Sequence, residues 1–119
     1  MSGQRYPESE LPIVAERETP SESLSDLREA CLINFAYNTA RAYWGDLDDL
    51  FYWAFSRNKD VVTLTAKDLR QYVALLRRRY YSENTVRRRV TAFREFFEIV
   101  VERGLRQNNP ANEIVIGKK

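Results

Sequence analysis

Apolar residues recur three and four positions apart in four stretches of the chain, and polar or turn-forming residues separate the stretches. In the first, Leu24, Leu27, Cys31 and Phe35 predict a helix over residues 24–35, capped by Ser23 or Ser25. In the second, Tyr43, Leu47, Leu50, Phe51 and Ala54 form one stripe of a long helix over residues 39–57, with Asn38 as its expected N-cap. Trp44, Tyr52 and Trp53 lie on or beyond the stripe's edges, so this helix is expected to be covered on more than one side. Gly45 in its interior costs about 1 kcal/mol relative to Ala and leaves room for another backbone, or DNA, to come close. The third stretch opens on Thr65 and Asp68, the pattern of a capping box, and buries Leu69, Tyr72, Val73 and Leu76. It ends in Arg77, Arg78 and Arg79 before a polar turn. Residues 61–64 are a short apolar connection, too short to make a sheet.

The fourth stretch predicts a helix over residues 83–103, with Ser82 as cap and Gly104 at the natural stop. Its two sides differ sharply. At about 100° per residue, Val86, Val90, Phe93 and Phe97 fall within about 60° of one another. Asn84, Arg87, Arg88, Thr91 and Arg94 fall within about 120° on another side. Arg89 lies beside the apolar face, where its stem is expected to pack and its head to reach a carboxylate. The polar side turns acidic further on, at Glu95, Glu98 and Glu102. A helix that is basic only in its first turns suits entry into a DNA groove by its N-terminal end.

Charge strengthens that reading. The net charge of +2 hides an asymmetry: residues 1–60 carry 6 basic and 11 acidic side chains, and residues 61–119 carry 13 and 6. Fifteen of the 19 basic residues are Arg, whose planar fork suits phosphate and guanine. With 119 residues and 44% hydrophobic content, the chain should form one domain with a modest core. Residues 1–22 are rich in Glu, Ser and Pro and are expected to be a flexible acidic lead, with a short apolar piece at residues 11–14. Residues 23–112 form the expected folded domain, and residues 113–119 the expected start of a linker.

Several chemistries are excluded. There is no histidine and one cysteine, Cys31, so zinc clusters, His-dependent nucleophiles and disulfide frameworks are out. Cys31 is expected in the core. Four scattered glycines cannot build a phosphate loop. Asp46, Asp48 and Asp49 read as a solvated face or as partners of Arg, and no metal, cofactor or small-molecule ligand is expected. No apolar run approaches the roughly 20 residues of a membrane span, so a cytoplasmic location on DNA is expected.

Three segments share one further pattern. Asn38-Thr39-Ala40-Arg41-Ala42-Tyr43, with Asp46-Leu47 and Phe51-Tyr52-Trp53, opens the second helix. Leu64-Thr65-Ala66-Lys67-Asp68-Leu69 opens the third, and Ser82 to Arg94 opens the fourth, with Asn109-Pro110-Ala111 after it. Together, over residues 24–115, they resemble the core-binding domain of tyrosine recombinases, the phage integrase family. The resemblance implies an all-α, compact four-helix, SAM-like bundle with long second and fourth helices. It implies half of a clamp on double-stranded DNA at an inverted-repeat core site, assembling as a tetramer in the full protein. Carried over by position, Asn38, Thr39 and Arg41 would serve from the second helix, and Asn84, Thr85, Arg87, Arg88 and Thr91 from the fourth. Arg94 lies one turn deeper on the same face. Hydroxyls, amides and helix-start N–H groups suit phosphate oxygens, whereas Arg87 and Arg88 suit phosphates or guanine edges. Trp44-Gly45 departs from the polar or basic residues usual there.

The family's Arg, Lys and His cluster and its nucleophilic tyrosine belong to a further C-terminal domain, so this chain by itself is expected to be non-catalytic. Removing Arg87 and Arg88 together is expected to weaken DNA binding at little cost in stability. Two alternatives compete: a helix-turn-helix regulator built on residues 66–94, and a protein-interaction bundle using Trp44, Tyr52 and Tyr81.

Overall fold

Three of the four helix starts in the computed structural model, which describes residues 23–116, reflect a local polar choice. The helices are α1 (Leu24–Leu32), α2 (Tyr37–Ser56), α3 (Ala66–Arg78) and α4 (Glu83–Glu102). Ser23 caps α1 by accepting the Asp26 N–H at 3.1 Å, and Ser82 caps α4 by accepting the Thr85 N–H at 3.1 Å. Thr65 and Asp68 form the full capping box, with reciprocal bonds of 3.1 and 3.0 Å. The start of α2 departs from expectation. It begins at Tyr37 after Ala36, which offers no side-chain cap, so Asn38 lies inside the first turn. The α1 helix is shorter than expected and stops at Leu32. Phe35 folds back, its N–H on the Leu32 carbonyl at 3.0 Å and its ring edge-on to Tyr43 at 5.2 Å.

Three helices end the same way. After α2, α3 and α4 the chain turns through left-handed Asn58 (φ 59°), Tyr80 (φ 66°) and Gly104 (φ 76°). In each case the next residue's N–H returns to a carbonyl of the last turn: Lys59 to Ala54, Tyr81 to Leu76, Leu105 to Val100. Residues 61–64 form a 3₁₀ turn, Val61–Thr63, with Val61 and Leu64 buried. Arg106 pins that connection by donating to the Val62 and Leu64 carbonyls at 2.9 and 2.7 Å, and its guanidinium lies over Phe97.

The architecture is all-α, and no strand occurs among the described residues. The core is centred on α4, against which α1, α2, α3 and the 3₁₀ turn Pro110–Glu113 all pack. Phe93, Val86, Val90 and Phe97 are buried as their helical phase requires, and Phe96, Ala92 and Val100 widen the buried arc. Leu27 and Cys31 meet them from α1, Leu47 and Leu50 from α2, and Leu69, Tyr72 and Leu76 from α3. Each fully buried side chain of this kind contributes about 1.5–3 kcal/mol.

The folded body continues past residue 112. Ile114 is buried and Ile116 packs on the core, because Asn109 turns the chain back along α4. Its buried amide donates to the Arg94 carbonyl at 3.0 Å and to Glu98 at 3.1 Å, while its oxygen accepts the Ala111 N–H. The expected acidic lead, residues 1–22, and residues 117–119 lie outside the described residues. Among the described residues no helix is long and apolar enough to cross a membrane, and no group of His, Cys, Asp or Glu could hold a metal ion.

Candidate nucleic-acid interface

The first three turns of α4 carry the polar face anticipated from helical phase. Asn84, Arg87 and Arg88 are exposed there, and Thr85 and Thr91 are half-buried. Arg87 donates to the Asn84 side-chain oxygen at 3.0 Å, and the Thr91 hydroxyl donates to the Arg87 carbonyl at 3.1 Å. Thr85 receives the Ser82 hydroxyl proton at 3.1 Å. These bonds arrange short polar groups and one long cation along a single side of the helix.

Arg88 differs in kind. Its Nε and Nη2 donate to Asp46 Oδ2 and Oδ1 at 2.9 and 2.6 Å, a two-point grip across α2 and α4. The Asp46 carboxylate is 2% exposed, while the Arg88 side chain remains 44% exposed. The Asp46 hydrogen bond raises the Arg88 pKa further. The sequence led to the expectation that removing Arg87 and Arg88 together would cost little stability, but loss of Arg88 strips a buried carboxylate of its closest partner and should carry a cost. Arg87→Ala is the variant that tests binding cleanly.

Arg89 goes where its phase pointed. It is 11% exposed, donates to Asp49 at 2.9 Å and to the Tyr72 hydroxyl at 2.9 Å, and its Nε stands 3.4 Å from Asp46. Tyr72 in turn donates to Asp49. Burial first, then the Asp49 carboxylate, push the Tyr72 phenol well above its ordinary value. Burial disfavours the Arg89 charge, but Tyr72, Asp46 and Asp49 outweigh it. Asp48 pairs with Arg28 at 3.4 Å, so of the two sequence readings for these carboxylates the Arg-partner one holds.

Arg94 turns away from the expected groove face. Its guanidinium donates to the Ile114 carbonyl at 3.0 Å, holding the returning C-terminal segment. Arg77 is bound to Glu83 through two bonds of 3.0 Å. On α2, Asn38, Thr39 and Arg41 are exposed. Thr39 lies two turns before Asp46 on the same side, whereas Arg41 lines a shallow depression with Leu32, Ile33, Tyr37 and Trp44. Trp44 is half-covered by Arg28, whose guanidinium lies 4.3 Å from its ring centre. The structural roles of Arg106 and Asn109 were missed in the sequence, as was the depth to which Asp46 is buried. Asp46, an acid among aromatic residues beside an apolar stripe, and Asn109, ahead of a proline, carried a visible signal, whereas Arg106 carried none.

Residues 24–104 match the family described as phage integrase, N-terminal SAM-like domain. The chain is 31% identical over 84 residues to tyrosine recombinase XerD of Rhizobium meliloti, covering 71% of this chain and 27% of that protein. It is 33% identical over 82 residues to tyrosine recombinase XerC of a Roseiflexus species, covering 68% and 26%. It is likewise 33% identical over 81 residues to tyrosine recombinase XerC of Mycobacterium tuberculosis, covering 68% and 27%. The chain thus spans about a quarter of the length of the curated relatives it matches. No solved structure matches the chain at the same stringency.

Proposed function

The chain belongs to the family of phage integrase N-terminal SAM-like domains, and from that premise we propose that it is the sequence-specific DNA-binding module of a tyrosine recombinase. It clamps one half-repeat of an inverted-repeat core site through the major groove, for DNA integration or recombination. The full protein assembles on DNA as a tetramer, and its catalytic tyrosine attacks a phosphate to form a 3′-phosphotyrosyl intermediate outside this chain.

The observation that supports this most is the outward side of α4's first three turns, where Asn84, Arg87, Arg88 and Thr91 lie together. Thr and Asn suit phosphate oxygens, and an exposed Arg adds charge without sequence demand. Thr85 lies on the same turns, half-buried. Asn38, Thr39 and Arg41 extend the surface from the start of α2, and Arg94 supports it from behind.

Selection of bound duplexes from a random-sequence DNA pool, followed by salt titration on the enriched duplex, tests the reading. A motif should emerge. If about four phosphates are contacted, log K should fall with log salt at a slope of roughly −3 to −4. No enriched motif, with binding indifferent to salt, would overturn it.

A further inference from the structure

We propose that Arg88 reads a guanine in the bound site and that Asp46 is the residue that positions it. The inference rests on the DNA-binding reading above and adds to it which cation carries sequence information.

A guanidinium has five N–H donors in a rigid planar fork. Asp46 engages the edge formed by Nε and Nη2, at 2.9 and 2.6 Å. The edge formed by Nη1 and Nη2 points away from that carboxylate by the geometry of the fork. This second edge presents two parallel N–H donors that Asp46 does not occupy, and such a pair matches guanine O6 and N7 in the major groove. The carboxylate is buried and the Arg88 side chain is 44% exposed, so the exposed part of the group lies on the side away from Asp46.

Position and orientation are both set. Asp46 belongs to α2, Arg88 to α4, and the bond between them joins the two long helices. Arg89 Nε stands 3.4 Å from the same Oδ1 that Arg88 Nη2 engages, and Arg89 is itself held by Asp49, so a second fixed cation faces the Asp46 carboxylate. A side chain already fixed loses little rotamer freedom when it meets a base. Readout of a base edge requires that fixed geometry, whereas a phosphate accepts a mobile cation as readily. Arg87, exposed on the same turns, suits the phosphate role. The division of labour is thus one oriented fork for sequence and neighbouring groups for the backbone.

The experiment uses the full chain and the duplex enriched from the random pool. Each guanine is replaced in turn by 7-deazaguanine, which lacks the N7 acceptor. The wild-type chain should lose roughly 5- to 150-fold in affinity at one guanine. Arg88→Lys keeps the charge but not the fork, and should abolish the preference at that guanine alone, with the salt slope unchanged. Asp46→Asn keeps the size of the positioning group but weakens its grip, and should reduce the same preference. Arg87→Ala should weaken all duplexes alike and make the salt slope shallower by about 1. Circular dichroism and thermal melts establish that each variant is folded. If Asp46→Asn does not fold, Arg88→Lys decides the question. An enriched, salt-sensitive duplex whose guanine preferences are the same in wild type and Arg88→Lys would overturn this proposal and leave the DNA-binding reading standing. Failure of the wild type to enrich any duplex would overturn both.

Discussion

Gly45→Ala separates the stability of α2 from its use. Gly45 sits inside the 20-residue helix Tyr37–Ser56, on its exposed side. A Cβ built there meets nothing within 4 Å. No other part of the described chain therefore needs the glycine, and of the two reasons the sequence offered for it, close approach of another backbone is removed for the described residues. In a helix interior Gly is about 0.8–1.0 kcal/mol less favourable than Ala, chiefly through backbone entropy. Because the added methyl group displaces no neighbouring atom, the substitution should stabilise the fold by about that amount. For a domain of this size the melting temperature should rise by roughly 4–8 °C per kcal/mol. Urea unfolding followed by far-ultraviolet circular dichroism should show a higher midpoint at unchanged slope. Gly45 also lies on the flank of α2 that carries Asn38 and Arg41 at helical spacing, next in sequence to Asp46. Affinity for the enriched duplex should accordingly fall while stability rises. A variant no more stable than wild type would refute the stability argument, and undiminished affinity would remove DNA from the reasons for the glycine.

Other perturbations give equally definite outcomes. Tyr80 holds a left-handed backbone at φ 66° with 92% of its surface exposed, where Asn58 and Gly104 occupy the equivalent positions after α2 and α4. Tyr80→Gly should relieve about 1–2 kcal/mol of strain, partly offset by backbone entropy, for a net gain of about 0.5–1 kcal/mol in urea titration. A loss would mean the ring makes a compensating contact. Phe93→Ala truncates a fully buried ring at the centre of α4 and should cost about 3–5 kcal/mol, and a loss below about 1 kcal/mol would move Phe93 out of the core. For Asp68, burial works to raise the carboxyl pKa, but the Thr65 N–H and Lys59 prevail and hold it below the ordinary carboxylate value. Its stabilisation is complete above that ordinary value and fades as pH falls through the lower folded one, below about 4. Asp68→Asn should therefore lose about 1 kcal/mol relative to wild type at about pH 7, with the gap narrowing as acid protonates the wild-type carboxyl, and a pH-independent gap would refute the assignment.

Much of the helical framework was legible because its signals are local. Ser23, Thr65 with Asp68, and Ser82 lie within three residues of the N–H groups they satisfy. The one misplaced start, at α2, has no capping side chain to announce it. Asn38, a favoured cap type, drew the boundary inward, while the Ala40 N–H had already closed on the Ala36 carbonyl at 2.8 Å. The α1 end was also misplaced, because Phe35 continues the helical spacing while its ring packs on Tyr43.

Within α4, the sequence by itself determined direction. A period of about 3.6 residues decides which side chains share a side of their own helix, so Phe93 was assigned inward, Arg89 beside the core and Arg87 outward. Partners belong to another order of information. Arg88 meets Asp46 across 42 positions and Arg89 meets Asp49 across 40, and both pairings depend on how α2 packs against α4. Arg94 shares the outward side with Arg87, yet Asn109 brings the C-terminal segment over it and engages its guanidinium with the Ile114 carbonyl. Helical phase is set by bonds a few residues apart, whereas the neighbour of an outward side chain is set by long-range packing. That is why the sequence located a basic face on α4, and only the tertiary structure decided that Arg88 is a gripped fork and Arg94 a clasp.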